Sequence, residues 1–288
     1  MSKKRVLITG GAGMLATDLS RAFNDCGYEV SAPSHAELDV VDGAAVDVAL
    51  STIKPSVTIH TAAMHVDPCE ADPGAAQRVN AEGSRHVAES CDRRGSELVY
   101  ISTCGLFGDK IRAYTETDEV VLKTEYAKSK YRGEELVRQV CERAFVVRPG
   151  WLFGGETGHQ KNFVVQRFEE ARQKEVLQSA GDKHGCPTYT GDLAASIIAL
   201  LESGRYDTYH LVNAGQCTRA GYVQGIVDAF GLDTPVEDVD SSHFPRPADV
   251  PDCEILESEV LVQAGVDPMP HWTDAMNRYV RSIRGTLL

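Results

Sequence analysis

A doubly wound α/β fold, with a parallel sheet covered on both faces and a smaller, discontinuous C-terminal domain, is what the 288-residue sequence predicts. Three observations carry this. Short apolar runs alternate with amphipathic stretches of helical length through the first half, a glycine-rich turn follows the first apolar run, and the rhythm loosens after Gly154. Runs rich in β-branched residues, spaced by helices, read as βαβ units on a buried sheet.

In order, RVLITG is the first strand, LATDLSRAFNDCG the first helix, YEVSAP the second strand, GAAVDVALSTIKP the second helix and VTIHTAA the third strand. AQRVNAEGSRHVAESCDRRG is again helical, ELVYISTCG a strand, TEYAKSKYRGEE a helix and AFVVRPGWLFG a strand. Beyond them, GGETGHQKN reads as a polar loop and FVVQRFEEARQKE as a helix. SAGDKHGCPTYTGD reads as a loop ending at an N-cap, Asp192, before the helix LAASIIALLESG. The carboxyl part, with HFPRPADVPD and DPMPHW, is proline-rich and short on sheet signals. Residues 1–150 with about 187–214 are the expected dinucleotide-binding domain, and about 151–186 with 215–288 the substrate-binding domain.

Bulk composition narrows the function. A formal net charge of -13, from 29 Lys+Arg against 42 Asp+Glu, argues against a nucleic-acid partner, which calls for a basic face. Eight cysteines stand singly with no CxxC pair, so reduced and mostly buried thiols are expected, with neither a disulfide framework nor a metal site. The amino end runs directly into a strand without a signal-peptide core, and no apolar stretch approaches the ~18 residues of a membrane span. A cytoplasmic protein without a membrane partner is therefore expected.

The first strand ends in TGGAGMLA, a G-x-x-G-x-x-G pattern with Ala16 in the last place. Gly10 permits the tight turn, Gly13 lets a pyrophosphate approach the backbone, and Ala16 is small enough for close helix packing. This is the Rossmann arrangement, and it predicts NAD(H) or NADP(H). NAD selection usually places an acid at the tip of the second strand, and NADP selection an arginine nearby. In the tip SAPSHAELD neither stands directly after the strand, with Asp39 and Asp42 farther on; the missing acid and His35 favour NADP(H).

Tyr126 and Lys130, four residues apart, share one helix face. A phenol with a pKa near 10 is a poor acid at neutrality, and an ammonium beside it lowers that value by favouring phenolate. The pair suits protonation of a carbonyl oxygen during hydride transfer. Following the glycine turn and YISTCGLFGD, it resembles the extended short-chain dehydrogenase/reductase family. That resemblance implies that Thr103 holds the substrate carbonyl, Tyr126 gives the proton and Lys130 also binds the nicotinamide ribose, with Ser102, Lys128 and Tyr131 as bystanders.

Further stretches narrow the resemblance. LDVVD, HTAAMHVDPCE, VNAEG, ISTCGLF, VRPGWLFG, KNFVVQRF, GDKHGCPTYTGDLA, YHLVNAG and RPADVPDCEILES occur in order and together are similar to the dTDP-4-dehydrorhamnose reductase, or RmlD-like, branch. The resemblance implies a cofactor site at Gly10, Gly13, Met14, Leu15, Asp39, Val40, Ala62, Ala63, Asn80, Tyr126 and Lys130. It implies a substrate site at His65, Cys104, Gly105 and Trp151. Arg148 is expected near the cofactor or paired with a carboxylate, and Lys183, Arg246 and Lys161 as contacts to the substrate diphosphate.

Two departures sit at the substrate pocket. The branch reads Ser-Thr-Asp-Tyr-Val-Phe where this chain has Cys104 and Gly105 after Thr103, and it carries a threonine where His65 stands. They bear on the identity of the sugar rather than on the chemistry, which is expected to be reduction of a keto group on a nucleotide-activated deoxysugar. A nucleotide-sugar epimerase or dehydratase of the same family is the alternative, although a dehydratase carries an Asp-Glu pair where Cys104 and Gly105 stand. Another class of protein, the β subunit of methionine adenosyltransferase, resembles the same branch and binds NADP as a regulatory partner. Members of the branch often form dimers, which makes a homodimer the assembly to test.

Overall fold

The computed structural model describes residues 3–287. Its first half comprises β1 (Arg5–Thr9), α1 (Met14–Asp25), β2 (Glu29–Ser31), α2 (Gly43–Ile53), β3 (Val57–His60), α3 (Val66–Ala71) and α4 (Pro73–Ala76). A π-helical turn (Gln77–Glu82), α5 (Gly83–Arg94), β4 (Glu97–Ile101), α6 (Glu125–Val140) and β5 (Ala144–Pro149) complete it. The second half comprises β6 (Trp151–Phe153), α7 (Phe163–Ala171), β7 (Leu177–Ala180), β8 (His184–Gly185), β9 (Pro187–Tyr189), α8 (Thr190–Ser203) and β10 (Thr208–Leu211). There follow β11 (Asn213–Ala214), β12 (Cys217–Thr218), α9 (Arg219–Phe230), β13 (Val236–Val239), β14 (Cys253–Glu254), β15 (Met269–His271) and α10 (Trp272–Leu287).

Alternation along each strand explains why the sheet is covered twice. Val6 and Ile8 of β1 face Leu15, Leu19 and Phe23 of α1 and Ile197 of α8. Leu7, between them, faces Leu50 of α2, Val87 of α5 and Val137 of α6. Both faces are apolar, so the strand reads as a continuous hydrophobic run. Six strands pair in parallel in the order β10-β5-β4-β3-β1-β2, giving the doubly wound fold that the sequence predicts. The chain runs from β1 outward to β2 and then returns to β3 on the other side of β1. The carboxyl ends of β1 and β3 therefore flank the crevice in which open α/β sheets hold their ligands.

A second body packs around an aromatic core in which Phe153, Phe168, Tyr222, Trp272 and Tyr279 meet Leu106 and Phe107 from the loop after β4. Three small sheets brace it: β6 with β9, β7 with β13, and β8 between β12 and β14. The stretch SAGDKHGCPTYTGD is thus not a plain loop, and the proline-rich carboxyl part does contribute strands. These strands are two to four residues long and pair across large sequence distances, so no local periodicity marks them. Helix α8 starts at Thr190 with Tyr189 as its N-cap. Asp192 lies in its first turn, accepting hydrogen bonds from Asn213 and Arg278 rather than capping.

One buried carboxylate joins the two bodies. Asp18 of α1 accepts hydrogen bonds from the Gly155 amide (2.9 Å), from Arg21 (2.8 Å) and from the Thr190 hydroxyl. Seven of the eight cysteines are wholly or partly buried and all are free, as the composition suggests. Among the described residues, no helix is long and apolar enough to cross a membrane.

Close contact between α6 and β4 depends on Gly133, where a Cβ would collide with the Tyr100 hydroxyl and stand 2.5 Å from the Asn80 carbonyl oxygen. Gly133→Ala is expected to lower unfolding stability by about 3 kcal/mol, the upper part of the range for overpacked cores, as read from urea denaturation. A change within about 0.5 kcal/mol, ordinary for a surface substitution, would show that the seam yields.

Candidate active site

The turn after β1 is built for close approach. Gly10 has φ +71°, and a Cβ on it would lie 3.0 Å from the Ala62 backbone. Gly13 is the N-cap of α1 and brings no capping side chain, so the first amides of that helix open into the crevice, a ready site for an anion. A cavity of about 640 Å³ begins there. It gathers Gly10, Gly13, Met14, Leu15, Asp39, Val40, Ala62 and Ala63, and at its inner end Tyr126 and Lys130. Asn80 does not line it. It is fully buried behind the wall, where its side chain accepts from the Met64 amide (2.8 Å) and donates to the Met64 carbonyl (3.1 Å) and to Ser129 Oγ (3.0 Å).

At the tip of β2, His35 is 82% exposed and stands 3.9 Å from Asp39. Asp39 accepts the Val41 amide at 3.0 Å. The acid closest to the tip, Glu37, is folded back onto the Ser34 amide and hydroxyl, both at 2.8 Å, which lowers its pKa.

Helix α6 is pinned at its start. Thr124 caps it by accepting the Ala127 amide (3.0 Å), and Glu70 accepts the Glu125 amide (2.8 Å). The Tyr100 hydroxyl donates to the Lys130 carbonyl at 3.0 Å. This fixes the backbone on which Tyr126 and Lys130 stand one turn apart. The Lys130 ammonium is fully buried, donates to the Ile101 carbonyl oxygen (2.7 Å) and lies 4.2 Å from the centre of the Tyr100 ring. Burial lowers its pKa to about 7, only partly opposed by the Glu134 carboxylate. Tyr126 differs from the sequence expectation. Burial raises its pKa, nearby acidic groups add to the rise, and the Thr103 hydroxyl opposes it. The ammonium expected to acidify it is instead turned to Ile101 and the Tyr100 ring.

Arg148 pairs with a carboxylate rather than lining the cofactor crevice. It donates twice to Glu134 (2.9 and 2.7 Å), which also accepts from Arg138 (2.9 Å) and from the Ser102 hydroxyl (2.5 Å). Lys128 is exposed and bonded to Glu125 (2.6 Å), and Tyr131 packs at the edge of the aromatic core.

A second cavity, of about 830 Å³, opens on the other side of Tyr126, which lines both. Thr103, Cys104 and Trp151 form its inner wall. His65 does not line it; that side chain and Lys161 face the dinucleotide crevice, where burial and the neighbouring Lys161 and His159 push the imidazole pKa down. Gly105 lies beneath the wall, donating its amide to Thr103 Oγ1 (3.1 Å). Lys183 lines the cavity but is paired with Asp252 (2.5 Å), and Arg246 is paired with Asp67 (3.0 Å). Burial drives the Cys104 thiol well above its ordinary range, and the Glu254 carboxylate adds to this, which removes it as a nucleophile.

Two cavity residues were not singled out from the sequence. Glu254 accepts the Trp151 indole N–H at 2.6 Å, and the Arg219 guanidinium stacks 3.5 Å from the centre of the Trp151 ring. Arg219 opens α9 directly after its Thr218 cap, the one local hint that it faces a crevice.

The chain is similar to known proteins over nearly its whole length. The family described as "RmlD substrate binding domain" matches residues 4–284. The chain is 34% identical over 281 residues to a dTDP-4-dehydrorhamnose reductase of Mycobacterium tuberculosis, covering 95% of this chain and 91% of that protein. It is 32% identical over 279 residues to the spore coat polysaccharide biosynthesis protein SpsK of Bacillus subtilis, covering 96% and 97%. The crystal structure of dTDP-4-dehydrorhamnose reductase from Bacillus anthracis in complex with NADP superposes with a TM-score of 0.93 at 31% identity, covering 98% of this chain and 100% of that one.

The Lys130 side chain is expected to titrate with a midpoint near 7, charged below and neutral above, when its Cε resonance is followed by NMR in the ligand-free protein. A midpoint at the ordinary lysine value of about 10.4 would show that burial does not govern this ammonium.

Proposed function

Because the chain belongs to the RmlD substrate binding domain family, we propose that it is an NADPH-dependent reductase of the keto group of a nucleotide-activated deoxysugar. The substrate class is that of its reductase relatives, dTDP-4-dehydrorhamnose. The observation that carries this reading is the place of Tyr126, whose side chain forms part of the wall of both cavities, with Lys130 on the dinucleotide side and Thr103 on the other.

The glycine turn fits a dinucleotide, since the bare Gly10 lets the turn lie against the Ala62 backbone at the cavity wall and the open amides of α1 suit its phosphates. Gly10, Gly13, Met14, Leu15, Asp39, Val40, Ala62 and Ala63 would hold it, Asn80 supporting them from behind. When bound, NADPH supplies the hydride for the carbonyl carbon. Thr103 holds the carbonyl oxygen, and Tyr126 donates the proton to it. The upward shift of the phenol keeps Tyr126 in its donor form throughout the neutral range. Lys130, fixed at the inner end of the crevice by the Ile101 carbonyl, serves the nicotinamide ribose.

In the substrate cavity the sugar would rest against the wall made by Trp151, with Arg219 stacked on it, and by Cys104, with Gly105 beneath. His65 reaches the same junction from the dinucleotide side. Arg219 is the cation best placed for the substrate diphosphate, since Lys183 and Arg246 already have carboxylate partners. Residues 1–150 with about 187–214 then bind the dinucleotide, and about 151–186 with 215–288 the sugar nucleotide. The dimerising habit of the branch supports a homodimer, and its reductase relatives support a cytoplasmic enzyme.

Tyr126→Phe is expected to bind NADPH as the wild type does, by fluorescence titration, and to lose about 10³-fold in the rate of ketosugar reduction. Equal rates in the two proteins would refute the role of the phenol. His35→Ala is expected to weaken NADPH binding by about 5-fold, the worth of one exposed charged contact, and to leave NADH binding unchanged. Equal effects on the two cofactors would remove His35 from 2′-phosphate recognition.

A further inference from the structure

We propose that Glu254 selects the sugar, its carboxylate accepting a hydrogen bond from a hydroxyl on the ring carbon next to the carbonyl. The inference rests on the reductase reading and adds to it the feature of the substrate that is recognised.

The carboxylate is held in one orientation. Its residue lies on β14, paired in parallel with β8, and Oε2 accepts the Trp151 indole N–H at 2.6 Å. Oε1 has a much poorer partner, the Cys104 thiol at 3.5 Å, and a thiol is a weak donor. Among the described residues no lysine, arginine or histidine forms an ion pair with Glu254. Of the cations that share its cavity, Lys183 is paired with Asp252, Arg246 with Asp67 and Arg167 with Glu170, while Arg219 lies on the face of Trp151, where it feels the Glu254 charge without forming an ion pair with it. A carboxylate oxygen that loses water to a bound sugar without gaining a donor is costly, so this one favours ligands that bring a donor.

Gly105 shows where that donor belongs. A Cβ built there would stand 3.1 Å from Glu254 Oε1 and 3.6 Å from Thr103 Oγ1, so the carboxylate and the hydroxyl that holds the carbonyl share one small neighbourhood. Neighbouring oxygens on a sugar ring are separated by about the length of one hydrogen bond. A substrate whose carbonyl rests on Thr103 therefore brings its adjacent hydroxyl towards Oε1. Gly105 itself lies beneath the cavity wall, so a side chain there would press on Oε1 from behind. Glu254 thus acts as a specificity residue, touching the substrate beside the reacting group rather than at it.

Glu254→Gln tests this with little change of shape. The amide oxygen can keep the Trp151 bond, which turns the NH₂ group into the cavity and replaces an acceptor with a donor. The measurement is kcat/KM with NADPH for a nucleotide-linked 4-ketosugar bearing a hydroxyl next to the carbonyl, and for its counterpart lacking that hydroxyl. Wild type is expected to prefer the hydroxylated sugar by about 10–100-fold, the worth of one hydrogen bond to a charged group. The variant should lose that preference, falling by the same factor on the hydroxylated sugar and staying within about 2-fold on the deoxy one. Gly105→Ala, which crowds Oε1, should erode the same preference and provides a second reading if the Gln variant does not fold.

An equal loss on both sugars, no loss on either, or no preference in wild type would overturn the inference while leaving the reductase reading in place. NADPH binding with reduction of neither sugar would overturn both.

Discussion

The seam between α6 and β4 is the constraint on which the rest of the structure depends. It brings a helix carrying a phenol and an ammonium against a strand whose last carbonyl, Ile101, receives that ammonium. Gly133 allows the approach, Tyr100 spans it, and Glu134 closes it by gathering Arg148, Arg138 and Ser102 around one buried carboxylate. Burying so many charges is not an efficient route to stability, because the cost of removing them from water offsets much of their attraction. What the arrangement does provide is position. Arg148 lies on β5 and Ser102 directly follows β4, so the Glu134 network fixes the ends of β4 and β5 and the middle of α6 relative to one another.

Position is also what separates the two cavities. Tyr126 stands in the wall between them, and the groups around it have different electrostatic characters. On the dinucleotide side, open helix amides, Lys130 and Lys161 make an electropositive passage through a protein whose overall charge is negative. On the other side, cations and carboxylates are matched, with Lys183 on Asp252 and Arg246 on Asp67. The acid excess on the exterior is therefore no obstacle to anionic ligands, since local fields in a cleft count for more than the net charge.

Much of this could be read from the sequence, and the reason is local order. The continuous apolar runs in RVLITG and ELVYI, the glycine turn, and the four-residue spacing of Tyr126 and Lys130 are short-range patterns whose meaning does not depend on distant parts of the chain. Glu254 and Arg219 escaped because their roles arise only when β14 and α9 are brought to Trp151, about a hundred and about seventy residues away in sequence respectively. The small strands escaped for the same reason. Asn80 shows the opposite case. Its place in a familiar stretch suggested contact with the cofactor, whereas a π-helical turn directs its side chain behind the wall, where it holds Met64 and Ser129. The direction of the Tyr126 shift could not be read at all, because it depends on how deeply the ring is enclosed.

The buried Asp18 bonds bear on how such an enzyme can be altered. By tying α1 to Gly155 and Thr190, they join the dinucleotide fold and the second body into one rigid floor. The roof over the sugar is made differently, from the exposed segment 242–247, with Pro245 and Pro247 stiffening its backbone and Arg246 hooking it to Asp67. Floor and roof are therefore separable parts. Residues of the roof can be exchanged to refit the cavity to a different sugar while the registration of phenol, lysine and nucleotide crevice is left undisturbed, which makes this segment the natural handle for redesign.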